Sequence, residues 1–150
     1  MVRRANERSV KVNENMRGGD GSVKLTSLIS GPEELLDKGR LFSVITLEPG
    51  CSIGCHVHEK ESELFYIVKG SATYNDNGEE IAVYPGDVTI VEPGNSHGIA
   101  NRTDETCELV ALIVYQYAVI DVKLKRTAGA ICAGGLLWDV NFPKSMKPFL

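Results

Sequence analysis

Cys55-His56-Val57-His58-Glu59-Lys60-Glu61-Ser62-Glu63 carries two of the chain's three histidines, with a carboxylate five positions beyond the second. In an extended strand alternate residues share a face and lie roughly 6.5–7 Å apart along it. His56 and His58 then project side by side, and Val57 turns the other way into packing. Both imidazoles can reach one ion at the roughly 2.0–2.1 Å of a metal–nitrogen bond. Glu63 opens the next strand after a charged link and shares its face with Phe65 and Ile67. An ionised carboxylate heading an apolar row needs compensation, which a divalent cation provides. The third histidine, His97, begins a strand after the turn Pro93-Gly94 and can complete the site. Two histidines one residue apart also occur on surface strands, and Glu63 by itself could be a solvated charge.

Outward from this stretch the chain is a series of short β segments divided by turn chemistry. Pro-Gly occurs at 49–50, 85–86 and 93–94, and Asn75-Asp76-Asn77-Gly78 has the composition of a hairpin turn. The segments between them predict strands at Ser22–Ile29, Leu41–Leu47, Ser52–His58, Glu63–Lys69, Ser71–Asn75, Ile81–Tyr84, Val88–Val91, His97–Asn101 and Cys107–Ile120. This is the pattern of an all-β sandwich or barrel. Val122-Lys123-Leu124-Lys125 alternates like an edge strand guarded by lysines. Ser30-Gly31-Pro32-Glu33 has the form of a capping box, predicting one short helix over Glu33–Lys38 closed by Gly39.

The 150 residues suit one domain, with 43% apolar and 24% charged residues. Residues 1–20 are polar and read as a flexible arm with room for one loosely attached strand at its end, residues 21–126 as the barrel, and residues 127–150 as an apolar tail lying on the barrel or on a partner subunit. Gly18-Gly19-Asp20-Gly21 lacks the Gly-Lys-Ser/Thr ending of a phosphate loop. A net charge of −4 gives no bulk attraction for nucleic acid or anionic membrane. The longest apolar run is too short to span a bilayer, and residues 1–20 show no apolar leader, so a cytoplasmic protein is expected. Cys51, Cys55, Cys107 and Cys132 are then expected as reduced thiols with a structural role, a redox or ligand role for Cys51 and Cys55 being the minority reading.

With Gly50, His56, His58, Glu63 and Gly70, the sequence matches G-x5-H-x-H-x3,4-E-x6-G, the first motif of the cupins. Gly86, Gly94, His97 and Asn101 match the second, G-x5-P-x-G-x2-H-x3-N, except that the proline stands at Pro93 with Glu92 in its slot. The chain therefore resembles a small single-domain cupin. That resemblance implies a double-stranded β-helix, the jelly-roll barrel also described as RmlC-like, with metal ligands His56, His58, Glu63 and His97. Asn101 reads as a backbone tether in preference to a ligand.

Cupins include dioxygenases, isomerases, lyases, decarboxylases and non-catalytic binding proteins, so the family does not name the reaction. Three histidines and one glutamate leave open positions on one divalent transition metal, whether Fe, Mn, Zn or Ni. The leading expectation is a metal-dependent enzyme acting on a small polar metabolite, with Glu63 as ligand and, on dissociating, as base. The alternative is a non-catalytic module that uses the metal to hold a sugar or carboxylate. A metal that only stabilises the barrel ranks last, because the donor set is not a closed one. Phe65 and Ile67 are expected in the pocket wall and Tyr66 on the opposite face. A small-molecule partner, no nucleic acid, no membrane and a homodimer complete the expectations.

Overall fold

A computed structural model describes residues 1–116 of the chain. The far end of the predicted strand Cys107–Ile120, the predicted edge strand at 122–125, Cys132 and the tail at 127–150 lie outside the described residues.

Ten strands run β1 (Val10–Glu14), β2 (Ser22–Ser27), β3 (Gly39–Leu47), β4 (Ser52–Val57), β5 (Glu61–Lys69), β6 (Ala72–Asp76), β7 (Glu79–Val83), β8 (Val88–Val91), β9 (Ser96–Ala100) and β10 (Cys107–Tyr115). They form two sheets, in the orders β1-β2-β3-β10-β5-β8 and β4-β9-β6-β7, and every pairing is antiparallel. This is the double-stranded β-helix expected from the sequence. The two-residue period of β10 shows why it forms: Cys107, Leu109, Ala111 and Ile113 are buried, while Glu108, Val110, Leu112 and Val114 face outward. Facing them across the barrel are Ile53, Tyr74, Val83 and Ile99 from the four-stranded sheet.

Turn chemistry closes the strands where it was expected. Asn77 and Gly78, at φ 51° and 98°, make the tight β6–β7 turn in the left-handed region. Gly70, at φ 70°, passes so close to its neighbour that an added Cβ would lie 2.5 Å from the Thr106 carbonyl oxygen.

Three features differ from the sequence reading. The segment expected as a helix is a single 3-10 turn, Pro32–Leu35. Leu36 and Asp37 both adopt φ 54°, which stops the helix. Ser30 and Glu33 form no capping box; Glu34 accepts instead from the Ser30 N–H and from Arg3. Within the segment read as an arm, β1 pairs along its whole length with β2, and a 3-10 turn follows at Met16–Gly18. Val57 is not in the packing but on the outer face of β4, 57% exposed. Among the described residues no helix is long and apolar enough to cross a membrane.

The pairing of β4 with β9 positions the site. Its register shifts between Ile53 and His56, so Gly54 and Cys55 form an irregular step in β4. Under strict alternation Ile53 and His56 would face opposite ways. The step lets Ile53 fill the core while His56 points inward directly across from His97.

Candidate metal centre

Four side chains from three places converge inside the barrel. His56 comes from β4, His58 from the residue just beyond it, His97 from β9 and Glu63 from β5 in the other sheet. The turn at Pro93-Gly94 is held to the first histidine pair by the main chain. Gly94 N–H donates to the His58 carbonyl, and His58 N–H donates to the Asn95 carbonyl. His58, Glu63 and His97 are buried, and His56 is half-buried.

Nε2 of His58 lies 3.1 Å from Nε2 of His56 and 3.1 Å from Nε2 of His97. Oε2 of Glu63 lies 3.2 Å from His58 Nε2 and 3.0 Å from His97 Nε2. All four donor atoms fall within 4.8 Å of one another. Neighbouring ligands bound at right angles to an ion at ~2.1 Å stand about 3.0 Å apart. The spacings therefore suit a shared cation.

The outer nitrogen of each ring is also engaged. His56 Nδ1 lies 2.9 Å from the Gly54 carbonyl oxygen, His58 Nδ1 3.1 Å from Glu61 Oε1, and His97 Nδ1 3.1 Å from the Tyr74 hydroxyl. A carbonyl and a carboxylate only accept, so His56 and His58 donate from Nδ1 and turn the Nε2 lone pair inward. Lone pairs and a carboxylate facing one another in a buried space call for a cation. The donor set fits a divalent transition metal.

Burial alone would raise the Glu63 carboxyl, but the His58 and His97 imidazoles beside it outweigh burial and lower the group to about 2. Burial pushes the His56 imidazole below its ordinary value, which keeps it neutral and able to ligate. Glu61 is lowered chiefly by its hydrogen bonds with Arg40, at 2.7 Å from Nε and 2.5 Å from Nη2.

A cavity of about 40 Å³ opens over His56, His58 and Glu63. Leu41, Ile45, Ile53 and Ile113 form its walls, and Arg17 and Arg40 line it too. Phe65 does not line it, contrary to the expectation; its ring stacks on His97 at 5.1 Å between centroids. Ile67 is wholly buried in the core. Tyr66 is exposed on the outer face, as strand parity required. Cys55 is likewise exposed and places Sγ 3.8 Å from Asn75 Oδ1, away from the donors.

Sequence reasoning missed Glu61, Tyr74, Arg17 and Arg40. Glu61 had a readable signal, since it lies two residues before Glu63 on the same face of β5. The two arginines had none.

Residues 43–115 match the family profile described as Cupin_2, a cupin domain. The chain is 40% identical over 114 residues to an oxalate-binding protein of Thermotoga maritima, covering 76% of this chain and 93% of that one. It is similar to the crystal structure of a predicted oxalate decarboxylase from Thermotoga maritima, with 39% identity and a TM-score of 0.73, over 77% of this chain and 99% of that one. A sugar phosphate isomerase structure from Silicibacter pomeroyi, at 18% identity and a TM-score of 0.59 over 74% of this chain and 73% of that one, shares the fold.

Proposed function

The chain belongs to the cupin family, and we propose that it binds a divalent transition metal through His56, His58, Glu63 and His97 and uses it to hold a small dicarboxylate such as oxalate. One observation carries this reading: a metal-ready donor cluster opens into a small cavity lined by two arginines. At about 40 Å³ the cavity is far below the roughly 300–1,000 Å³ that encloses drug-sized ligands. It suits a ligand of a few heavy atoms better than a sugar. The 40% identity to a protein named for oxalate binding supports the same class of ligand.

When bound, the ion supplies Lewis-acid attraction for carboxylate oxygens. The chain's own residues do the rest. His56, His58, Glu63 and His97 offer the donors, and Glu61 and the Gly54 carbonyl orient the imidazoles. Leu41, Ile45, Ile53 and Ile113 keep the surroundings apolar, and Arg40, held by Glu61, positions the carboxylate that orients His58.

Apart from the four donors, no cavity-lining residue among those described is a carboxylic acid, imidazole, lysine, tyrosine or cysteine. This favours retention of the ligand over turnover. A decarboxylase, dioxygenase or isomerase reading has, among the described lining residues, only the donors themselves, Glu63 before the histidines, to move a proton.

The test is titration calorimetry of the metal-loaded protein with oxalate, followed by an assay for formate and carbon dioxide. Metal-dependent binding that the double variant His56→Ala/His58→Ala abolishes is expected, without product. Absence of oxalate binding by the metal-loaded protein would sink the reading, and formate release would replace binding with turnover.

We propose in addition that the protein pairs with a second copy of itself. Tyr66 and Val68 on β5 and Val88 and Ile90 on β8 are exposed on one face at the edge of the six-stranded sheet, with Tyr66 directly opposite Val88. Light scattering at micromolar concentration should give a dimer mass that Tyr66→Glu/Ile90→Glu lowers to a monomer. A monomer mass for the unmodified protein would refute the pairing.

A further inference from the structure

We propose that Thr89 is the acceptor that lets Tyr74 release His97 to the metal: when an ion binds, the Tyr74 hydroxyl turns its proton from His97 to Thr89 and so holds the ring in the form that ligates. The inference rests on the metal-binding half of the reading above. It adds Tyr74 and Thr89 as positioning residues that act through His97.

The three rings are not equivalent. His56 Nδ1 faces the Gly54 carbonyl and His58 Nδ1 faces the Glu61 carboxylate, which only accept, so both rings carry their proton on Nδ1. His97 Nδ1 faces the Tyr74 hydroxyl at 3.1 Å, and a hydroxyl can donate or accept. Without an ion, Glu63 Oε2 needs a donor from His97 Nε2 at 3.0 Å or His58 Nε2 at 3.2 Å. His58 has no proton on that side. His97 therefore donates from Nε2 and accepts from Tyr74 at Nδ1. With an ion, His97 presents the Nε2 lone pair instead, and its proton sits on Nδ1 and is donated to Tyr74. The Tyr74 proton then needs a new acceptor. His97 keeps one ring proton and Tyr74 keeps its phenolic proton, so the exchange releases none.

Thr89 is placed to be that acceptor. It is buried on β8, yet its Oγ1 is the one buried side-chain nitrogen or oxygen among the described residues without a hydrogen-bond partner. A buried hydroxyl left unpaired is costly, and the second position of the Tyr74 proton supplies the missing bond. Thr89 lies directly across from Phe65 in the β5–β8 pairing, and the Phe65 ring meets the Tyr74 ring edge-on at 6.3 Å between centroids. Tyr74 and Thr89 also line one cavity among residues of β6, β7 and β8. Burial raises the Tyr74 hydroxyl above its ordinary value, and attraction toward the Thr89 hydroxyl works against that rise. Asp76 acts on Tyr74 by charge alone. The two hydroxyls are thus neighbours that do not complete a hydrogen bond while Tyr74 serves His97.

Two measurements on the protein with and without zinc test this. Nitrogen NMR of the three histidine rings should place the His97 proton on Nε2 without zinc, with those of His56 and His58 on Nδ1. With zinc, all three should be on Nδ1. Chelator competition should show zinc affinity lowered about three- to tenfold in Thr89→Val and about ten- to a hundredfold in Tyr74→Phe, with Thr89→Ser within about twofold of the unmodified protein. A purely structural role would lower zinc-free stability in step with affinity. Thr89→Val should instead leave the zinc-free melting temperature unchanged or raise it, because an unpaired buried hydroxyl is replaced by a methyl group. Unchanged zinc affinity in Thr89→Val, or a His97 proton already on Nδ1 without zinc, would overturn the inference and leave the metal site standing. A site of three imidazoles and a carboxylate suits zinc, so an unmodified protein that binds none would bring down the metal-binding reading as well.

Discussion

Oε1 of Glu61 lies 3.1 Å from Nδ1 of His58, on the side of the imidazole away from the other donors. The same carboxylate is pinned from behind by Arg40. Its negative charge makes the inward nitrogen of His58 a stronger donor, and its position fixes the ring plane. Glu61→Gln keeps the shape and removes the charge. Chelator competition should show metal affinity reduced by about ten- to a hundredfold, with the barrel still folded by circular dichroism. An unchanged affinity in both Glu61→Gln and Glu61→Ala would remove Glu61 from the metal centre.

Acid should loosen the metal-free protein through a carboxylate that the fold keeps ionised. Glu63 titrates near 2 in the folded chain, against an ordinary 4.5. The unfolded chain therefore takes up this proton first as pH falls. The stability it contributes is complete above about 4.5 and is lost as pH falls through 2. Glu61, also lowered, adds to the same limb. Melting temperatures of the metal-free protein should decline across that window, and Glu63→Gln should flatten most of the decline. A decline equally steep in Glu63→Gln would contradict the assignment.

Asn101 should matter to folding and little to the metal. Its buried amide donates to the Leu47 carbonyl at 2.8 Å and the Glu105 carbonyl at 2.7 Å, and its oxygen accepts from the Thr103 N–H and hydroxyl. Asn101→Ala removes the side-chain donor to the Leu47 carbonyl in the buried interior and the acceptor of the Thr103 N–H and hydroxyl, and should cost about 2–4 kcal/mol in urea unfolding. Metal affinity of the folded variant should change by less than about threefold, because no donor touches this side chain. A large loss of metal without loss of stability would show that the tether reading is wrong.

What the sequence disclosed depended on the range of the interaction. The four donors were legible because two-residue periodicity and glycine-framed spacing are local signals, and both survive folding. Asn101 was legible as a tether for the same reason. The helix after Ser30 was misread because Leu36 and Asp37 turn left-handed after one 3-10 turn, and the Ser30 N–H is taken by Glu34, which Arg3 holds from far back in the sequence. Val57 was misread because the outer face of β4 is left to solvent, which alternation alone does not reveal. The step at Gly54–Cys55 depends on how β4 meets β9. Arg17 and Arg40 line one cavity because the turn between β1 and β2 packs against β4 while Arg40 stands on β3, a relation with no local trace.

Glu63 is the lone donor from the six-stranded sheet, whereas His56 and His97 belong to the four-stranded one. An ion gripped by all four side chains would act as a rivet through both leaves of the barrel. Opening the leaves and releasing the ion would then be one equilibrium. Each tenfold rise in free metal above its dissociation constant would deepen the folded state by about 1.4 kcal/mol. The supply of metal around the protein would thus set what fraction of barrels is shut, independently of any ligand held inside.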